Sequence, residues 1–437
     1  MSAPTEAMPL FAVKRGTAPV TEEVTVFDLP VSGAIPPELT GRYLRNGPNA
    51  KPRSAATHAF MQEGMVHGIR LENGAARWYR NRWVKTPRNV EGTSMRRADG
   101  SLDLSNGVAN TNVIVHGGRT LALVESSYPW QLGDELETVG AYDFDGRLHA
   151  PFTAHPKVCP RTGELHAHGM SPRGGLTYLR MNAAGELVES RDIPVPGPTM
   201  MHDMAITERY VLFLDLPVVF DMARAMRGDM PYTWSDTYGA RIGVMERGVE
   251  NAPVRWFDIR PCYVFHVLNA FDAGTTVVLD ALRYPELWRD TTAHFPSPVL
   301  YRWTLNLATG AVDERVLDER RAEFPRCDER RLGSAYRYGY AVETLAGGAS
   351  GIVKYDVQNG TTAHFDPGAA RAVGEAVFVP AESGTREDEG WLMTYIYDAP
   401  SDRSELAIVD ASTMRTAATI ALPQRVPFGF HGNWVAE

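Results

Sequence analysis

Cysteine is scarce. Only Cys159, Cys262 and Cys327 occur in 437 residues, an odd number at wide spacings and with no CxxC pair. That usage excludes a disulfide frame and a cysteine-based zinc site, and fits reduced thiols in a cytoplasmic protein. Long apolar runs are absent too: no stretch reaches the roughly 18 residues that a membrane-spanning helix requires. The opening residues, MSAPTEAMPLFAVKRGTAPVTEE, have no apolar core after a basic start, so no secretory signal is expected. There is no dense Lys/Arg stripe with interleaved aromatics, and 53 acids outnumber 44 bases for a net charge of -9. A polyanion such as nucleic acid is therefore not an expected partner. Extended helical patterns are few.

Glycine and proline are plentiful, at 39 and 30 residues, and they punctuate short apolar strands. One pattern recurs: strand, polar or glycine turn, strand. It is seen at 112–126, 204–217, 268–282, 339–356 and 377–398. Looser hairpins are expected at 142–156, around the turn DG, and at 178–195, around AGE. Apolar residues at 44% supply material for a large core. Regular strand spacing points to an all-β repeat, with six to eight four-stranded blades of a propeller as the first reading and paired β-sandwiches as the second. No linker is visible, so residues 1–437 are read as one domain. The one helical insertion expected is 218–236, where Val219, Met222, Ala223 and Met226 follow helical spacing. It reads either as a loop packed on the propeller or as an apolar lip that touches membrane or a greasy substrate.

Four of the 12 histidines share one context. His155 (FTAHPK), His202 (MMHDMAI), His266 (VFHVLNAF) and His431 (GFHGNW) each stand at the start of an expected inner strand, among apolar neighbours. Two readings are open on spacing alone: unrelated core histidines, or imidazoles that converge on a propeller axis to hold a metal such as iron, copper, zinc or nickel. The others, His58, His67, His116, His149, His166, His168, His294 and His364, are expected in turns or on polar faces. The pair His166 and His168 is expected on an outer strand.

Several motifs, in order, now carry a resemblance. They are LTGRYLRNGPNA (39–50), EGMVHGIRL (63–71), YRNRWVKT (79–86), NTNVIVHGGRTLALVES (110–126), TAHPKVCPRTGEL (153–165), EFPR (323–326), EDEGWLMTYIYD (387–398) and the terminal FHGNW (430–434). The chain resembles the carotenoid cleavage oxygenases over nearly its whole length. The resemblance implies a seven-bladed β-propeller, with loop and helical insertions capping one ferrous ion per chain and dioxygen as co-substrate. It implies that His155, His202, His266 and His431 are the iron ligands. It also implies that Glu125, Glu323 and Glu375 accept the outer N–H of His202, His266 and His431, and leaves His155 without such an acid. Carboxylates one shell out would stabilise an ion held by four neutral ligands and fix the imidazole tautomers.

The same resemblance implies oxidative cleavage of a conjugated carbon–carbon double bond into two carbonyl products. In its lignostilbene branch a lysine directly precedes the first of these glutamates and helps grip a phenol; here that position is Val124, which cannot. The preferred substrate is accordingly an apolar carotenoid or apocarotenoid, with a stilbenoid as the alternative. Phe60, Val124, Trp130, Phe265 and Phe430 are the candidate contacts, with Tyr128, Phe152, Phe271 and Trp434 also considered; core packing is the somewhat stronger reading for each aromatic. A metal-free binding scaffold and a non-oxidative isomerase, as in the retinoid branch, are the other classes weighed. A monomer is expected, cytoplasmic and in peripheral contact with membrane through 218–236.

Overall fold

A computed structural model describes residues 14–437 apart from 53, 55–57, 100, 173, 291–294 and 346–348. His294 and the first part of the N-terminal stretch therefore lie outside the described residues.

About half of the described residues are strand, in seven successive sets that are antiparallel within themselves. The first sheet orders Thr25–Phe27, Ala75–Trp83, Gly64–Glu72, Gly41–Pro48 and, on its far edge, Gly432–Ala436. The second runs from Asn112–His116 to Thr138–Ala141, the third from Lys157–Val158 to Leu187–Ile193, the fourth from Met204–Ile206 to Val254–Asp258, and the fifth from Tyr263–Ala273 to Val312–Asp318. The sixth holds Ala322–Cys327, Tyr338–Thr344, Ser350–Asp356 and Thr361–Phe365, and Arg371–Val373, parallel to Ser350–Asp356 and antiparallel to Gly390–Asp398, joins it to the seventh in one ten-stranded sheet. The seventh holds Val377–Pro380, Gly390–Asp398, Arg403–Asp410 and Arg415–Ala421, with Val31–Gly33 on its outer edge. This is the strand pattern expected of a seven-bladed propeller: the chain's last strand edges its first sheet, and an early strand completes its last sheet. Such closure leaves few ladder groups open.

The chain forms two compact units: 155–339 with 355–361, and the remainder. Within each, burial follows strand position. Some first strands are buried on both faces, as in Tyr263–Ala273, whose first eight residues are all buried. Outer strands such as Leu187–Ile193 alternate between core and solvent. Turns are made by residues suited to left-handed backbone: Asn73 and Gly74, with φ of 50° and 71°, join Gly64–Glu72 to Ala75–Trp83.

The five recurrent hairpins and the one at 178–195 form where expected. Two segments differ. Residues 142–156 make no hairpin; Phe144 and Asp145 take positive φ and the chain runs on as loop to His155. The insertion 218–236 is a hairpin, Val218–Phe220 against Tyr232–Trp234, with one short helix, Met222–Arg227, in its tip. Val219 thus pairs Thr233 in a strand instead of joining a helix. The helix is capped by the Asp221 side chain and ended by left-handed Gly228, which confines it to six residues. No helix among the described residues is long and apolar enough to cross a membrane.

A close backbone approach fixes the last loop. A Cβ on Gly47 would lie 2.5 Å from the Cα of Gly429, two residues before His431. Gly47→Ala is expected to lower stability by about 1–3 kcal/mol through overpacking. Gly140→Ala, at a position open to solvent with nothing within 4 Å, is expected to be neutral. Urea denaturation of both variants checks the contrast.

Candidate metal centre

His155, His202 and His431 each stand within two residues of a first or edge strand, and His266 lies inside one. The strand Tyr263–Ala273 is irregular in register between Val264 and Val267 and again between Val267 and Asn269. Such a bulge re-aims a side chain at the strand's inner end. All four histidines are buried, at 3–6% exposure. One ring nitrogen from each can be chosen such that all four lie within 4.8 Å of one another. Nε2 of His155 and Nε2 of His202 are 3.0 Å apart. The ring of His266 stands 5.0 Å from that of His155 and 5.2 Å from that of His202, centroid to centroid.

Two carboxylates fix which nitrogen faces inward. Nδ1 of His266 is 2.5 Å from Oε2 of Glu323, and Nδ1 of His431 is 2.9 Å from Oε1 of Glu375. An ionised carboxylate only accepts, so each imidazole donates from Nδ1 and keeps a lone pair at Nε2. Both acids are buried, and each accepts a second bond. The Gly432 amide donates to Glu375 at 2.9 Å, and the Tyr284 hydroxyl donates to Glu323 at 3.0 Å. Burial, with the Glu323 charge beside it, pushes the Tyr284 phenol well above its ordinary pKa, so it remains a donor.

The backbone at or next to three of the histidines is also held. His431 donates its amide to Thr111 at 3.2 Å and accepts from the Asn46 amide at 2.9 Å. The segment before His202 is gripped by Tyr263, whose hydroxyl donates to the Met200 carbonyl at 2.7 Å, and by His168, whose Nε2 donates to Met201 at 3.0 Å. The Asn112 amide group donates to the Ala154 carbonyl at 2.8 Å, next to His155.

The donor set fits a transition metal. Four imidazoles suit a borderline ion such as iron, and soft thiolates are absent from the cluster. Two nitrogens each about 2.1 Å from one ion and at right angles about it lie about 3 Å apart. That is the separation of His155 and His202.

The remaining expected residues fall into two groups. Phe265 lies edge-on to His202, with centroids 5.2 Å apart, and packs on Trp288 and Phe295 at 6.0 and 6.1 Å. Phe430 packs edge-on to half-buried Phe60 at 5.3 Å and lies beside His431. Val124 is buried, and Glu125 is half-buried in the turn that follows it. Elsewhere, Trp130 packs in the core of its own sheet with Val113, Ala122 and Leu132. Phe152 stacks on Phe144, Phe271 meets Tyr336 and the Arg302 guanidinium, and Trp434 packs against the core that contains Tyr43. Half-buried Tyr128 follows the same turn as Glu125, and its amide donates to the Leu104 carbonyl.

Three histidines expected on polar faces or in turns are core residues. His67 meets the Tyr79 hydroxyl at 2.9 Å and His166 meets that of Tyr178 at 2.7 Å; both are buried, as is His168. Burial lowers His166 to about 3 and His67 well below its ordinary value, so both are neutral. The strand Leu165–Met170 is interior to its sheet and buried on both faces, so a polar-looking HAH does not mark an outer strand there.

Comparison with known proteins identifies the family. The family model described as retinal pigment epithelial membrane protein, RPE65, matches residues 17–436. The chain belongs to this family, that of RPE65 and the carotenoid cleavage oxygenases. It is 42% identical to a carotenoid cleavage oxygenase of Mycobacterium tuberculosis, over 95% of this chain and 96% of that one. An apocarotenoid oxygenase of Synechocystis is similar at TM-score 0.89 and 27% identity, over 99% of this chain and all of the other. A lignostilbene dioxygenase of Pseudomonas brassicacearum is similar at 0.87 and 29%, over the whole of both chains. The fold is accordingly a seven-bladed β-propeller.

Removing the charge from a carboxylate behind a ligand typically costs ten- to a hundredfold in metal affinity. Glu375→Gln is expected to weaken Fe(II) binding by that factor in anaerobic equilibrium dialysis, with the fold unchanged by circular dichroism.

Proposed function

We propose that this protein cleaves a conjugated carbon–carbon double bond of a carotenoid or apocarotenoid with dioxygen. Each carbon of the double bond leaves as a carbonyl, and the two oxygen atoms of one O2 are divided between the two products. His155, His202, His266 and His431 hold one ferrous ion per chain. The observation that carries this reading is the four buried imidazoles within 4.8 Å, two of them backed by buried glutamates.

Bound iron would supply the activation of dioxygen, which no side chain in the cluster provides. The protein's own part is positioning. Glu323 and Glu375 keep protons at Nδ1 of His266 and His431, and so keep their Nε2 lone pairs for the metal. Glu125 is assigned the same task toward His202, by the likeness to the family. The apolar walls made by Phe265, Trp288 and Phe295 beside His202 receive a polyene and exclude water from the reacting bond. Burial of polyene surface contributes about 25 cal/mol per Å² and carries no register. The shape of these walls therefore selects the bond that is cut.

Buried Val124 supports a polyene over a phenolic stilbene, because it presents neither charge nor hydrogen bond. Mass spectrometry under 18O2 tests the activity. A C40 carotenoid or an apocarotenal is expected to yield two labelled carbonyl products, and hydroxystilbenes at least tenfold less turnover. Unlabelled products, or faster stilbene cleavage, contradict the reading.

A polyene partitions into lipid, and the hairpin tip offers a route to it. Met226 is 80% exposed and Met222 44%, on the helix Met222–Arg227, which also carries Arg224 and Arg227. Exposed methionines flanked by arginines suit the headgroup boundary. Met226→Glu is expected to slow turnover of substrate held in anionic vesicles several-fold while leaving turnover in detergent unchanged. Equal rates in both media would remove membrane contact from the account.

A further inference from the structure

The carboxylate of Asp203 makes three contacts, and each one ends beside a different histidine of the cluster. We propose that Asp203, held by Lys157, is a positioning residue that sets the spacing of His155, His202 and His266, and with it the affinity and geometry of the metal site. This rests on the reading of those histidines as metal ligands.

The geometry is specific. Oδ1 of Asp203 accepts from the Met204 amide at 2.7 Å and pairs with Nζ of Lys157 at 2.7 Å. Oδ2 accepts from the Val267 amide at 2.8 Å. Asp203 follows His202 directly, Val267 follows His266 directly, and Lys157 lies two residues after His155. One carboxylate thus joins three ligand-bearing segments. Asp203 is 2% exposed and the Lys157 side chain 14%.

The need for such a brace follows from the topology. The strands Lys157–Val158, Met204–Ile206 and Tyr263–Ala273 open three different sheets, and they share no ladder in the strand order. Backbone pairing therefore does not set the distance between their histidines; side chains must. The strand Tyr263–Ala273 is irregular on both sides of Val267, where a buried amide needs a specific acceptor. Asp203 provides it. Lys157 balances the charge, so the carboxylate beside His202 is engaged by the protein and does not compete for the ion. A buried pair of this kind is weak evidence for stability and stronger evidence for specifying one arrangement.

The test uses full-length apo-protein titrated with Co(II), followed by its visible ligand-field spectrum and by equilibrium dialysis. Wild type is expected to bind one equivalent. Asp203→Asn keeps the shape and one acceptor but loses the charge. It is expected to bind at least tenfold more weakly, with a shifted spectrum. Lys157→Met keeps the apolar stem and both backbone bonds to Asp203. It is expected to show the same spectral shift with a smaller loss, and Lys157→Arg is expected to restore wild-type binding. Lys157→Met still reports if Asp203→Asn does not fold. Folded variants that bind Co(II) within twofold of wild type, with an unchanged spectrum, overturn the proposal alone. Failure of wild type to bind Co(II) overturns the metal-site reading, and this proposal with it.

Discussion

An ion held by four neutral imidazoles keeps its full positive charge, and a protein interior tolerates that charge poorly. The rest of the structure answers this constraint. Glu323 and Glu375 stand one hydrogen bond behind His266 and His431, where they would stabilise such a charge without taking coordination positions. Each acid is itself buried, and each is satisfied by a second donor, Tyr284 or the Gly432 amide. With an ion bound, the order would run outward from metal to imidazole to carboxylate to phenol or backbone, each layer fixing the orientation of the one inside it.

The propeller suits this task because it brings distant sequence to one place on rigid strands. His155, His202 and His266 come from the openings of three consecutive sheets, and His431 from the strand that edges the first. The loop that carries His431 is seated by the Gly47–Gly429 approach and by the Asn46 and Thr111 backbone bonds. Ligand atoms on strand ends can be placed more closely than on free loops. Phe265 packs edge-on to His202, and Phe430 lies beside His431.

Much of this was legible in the sequence, for reasons that can be named. The recurrent hairpins declare themselves by β-branched runs around glycine turns, and period and turn chemistry are local. The four histidines could be grouped because each sits at a comparable place relative to its strand, and the resemblance to a known family turned that grouping into a ligand set. Glu323 and Glu375 came only through that resemblance, since an acid in EFPR or GEAVFVP has no local mark of burial. The misses have a common cause. His67, His166 and His168 look polar in sequence, yet they lie in strands that are interior to their sheets. Asp203 was in view beside His202, but its partners are 46 residues before it and 64 after it, and nothing in the chain announces that register. Tyr284 was invisible for the same reason. The helix expected at 218–236 is confined to Met222–Arg227, because Val219 pairs with Thr233 across a hairpin.

The central claim is that these imidazoles share one ion. Anomalous diffraction at the iron K edge, from crystals grown anaerobically with Fe(II), tests it most directly. The account predicts a single strong peak about 2.1 Å from Nε2 of His155, His202, His266 and His431. A peak elsewhere, or none at the cluster in a protein that still turns over, would contradict it.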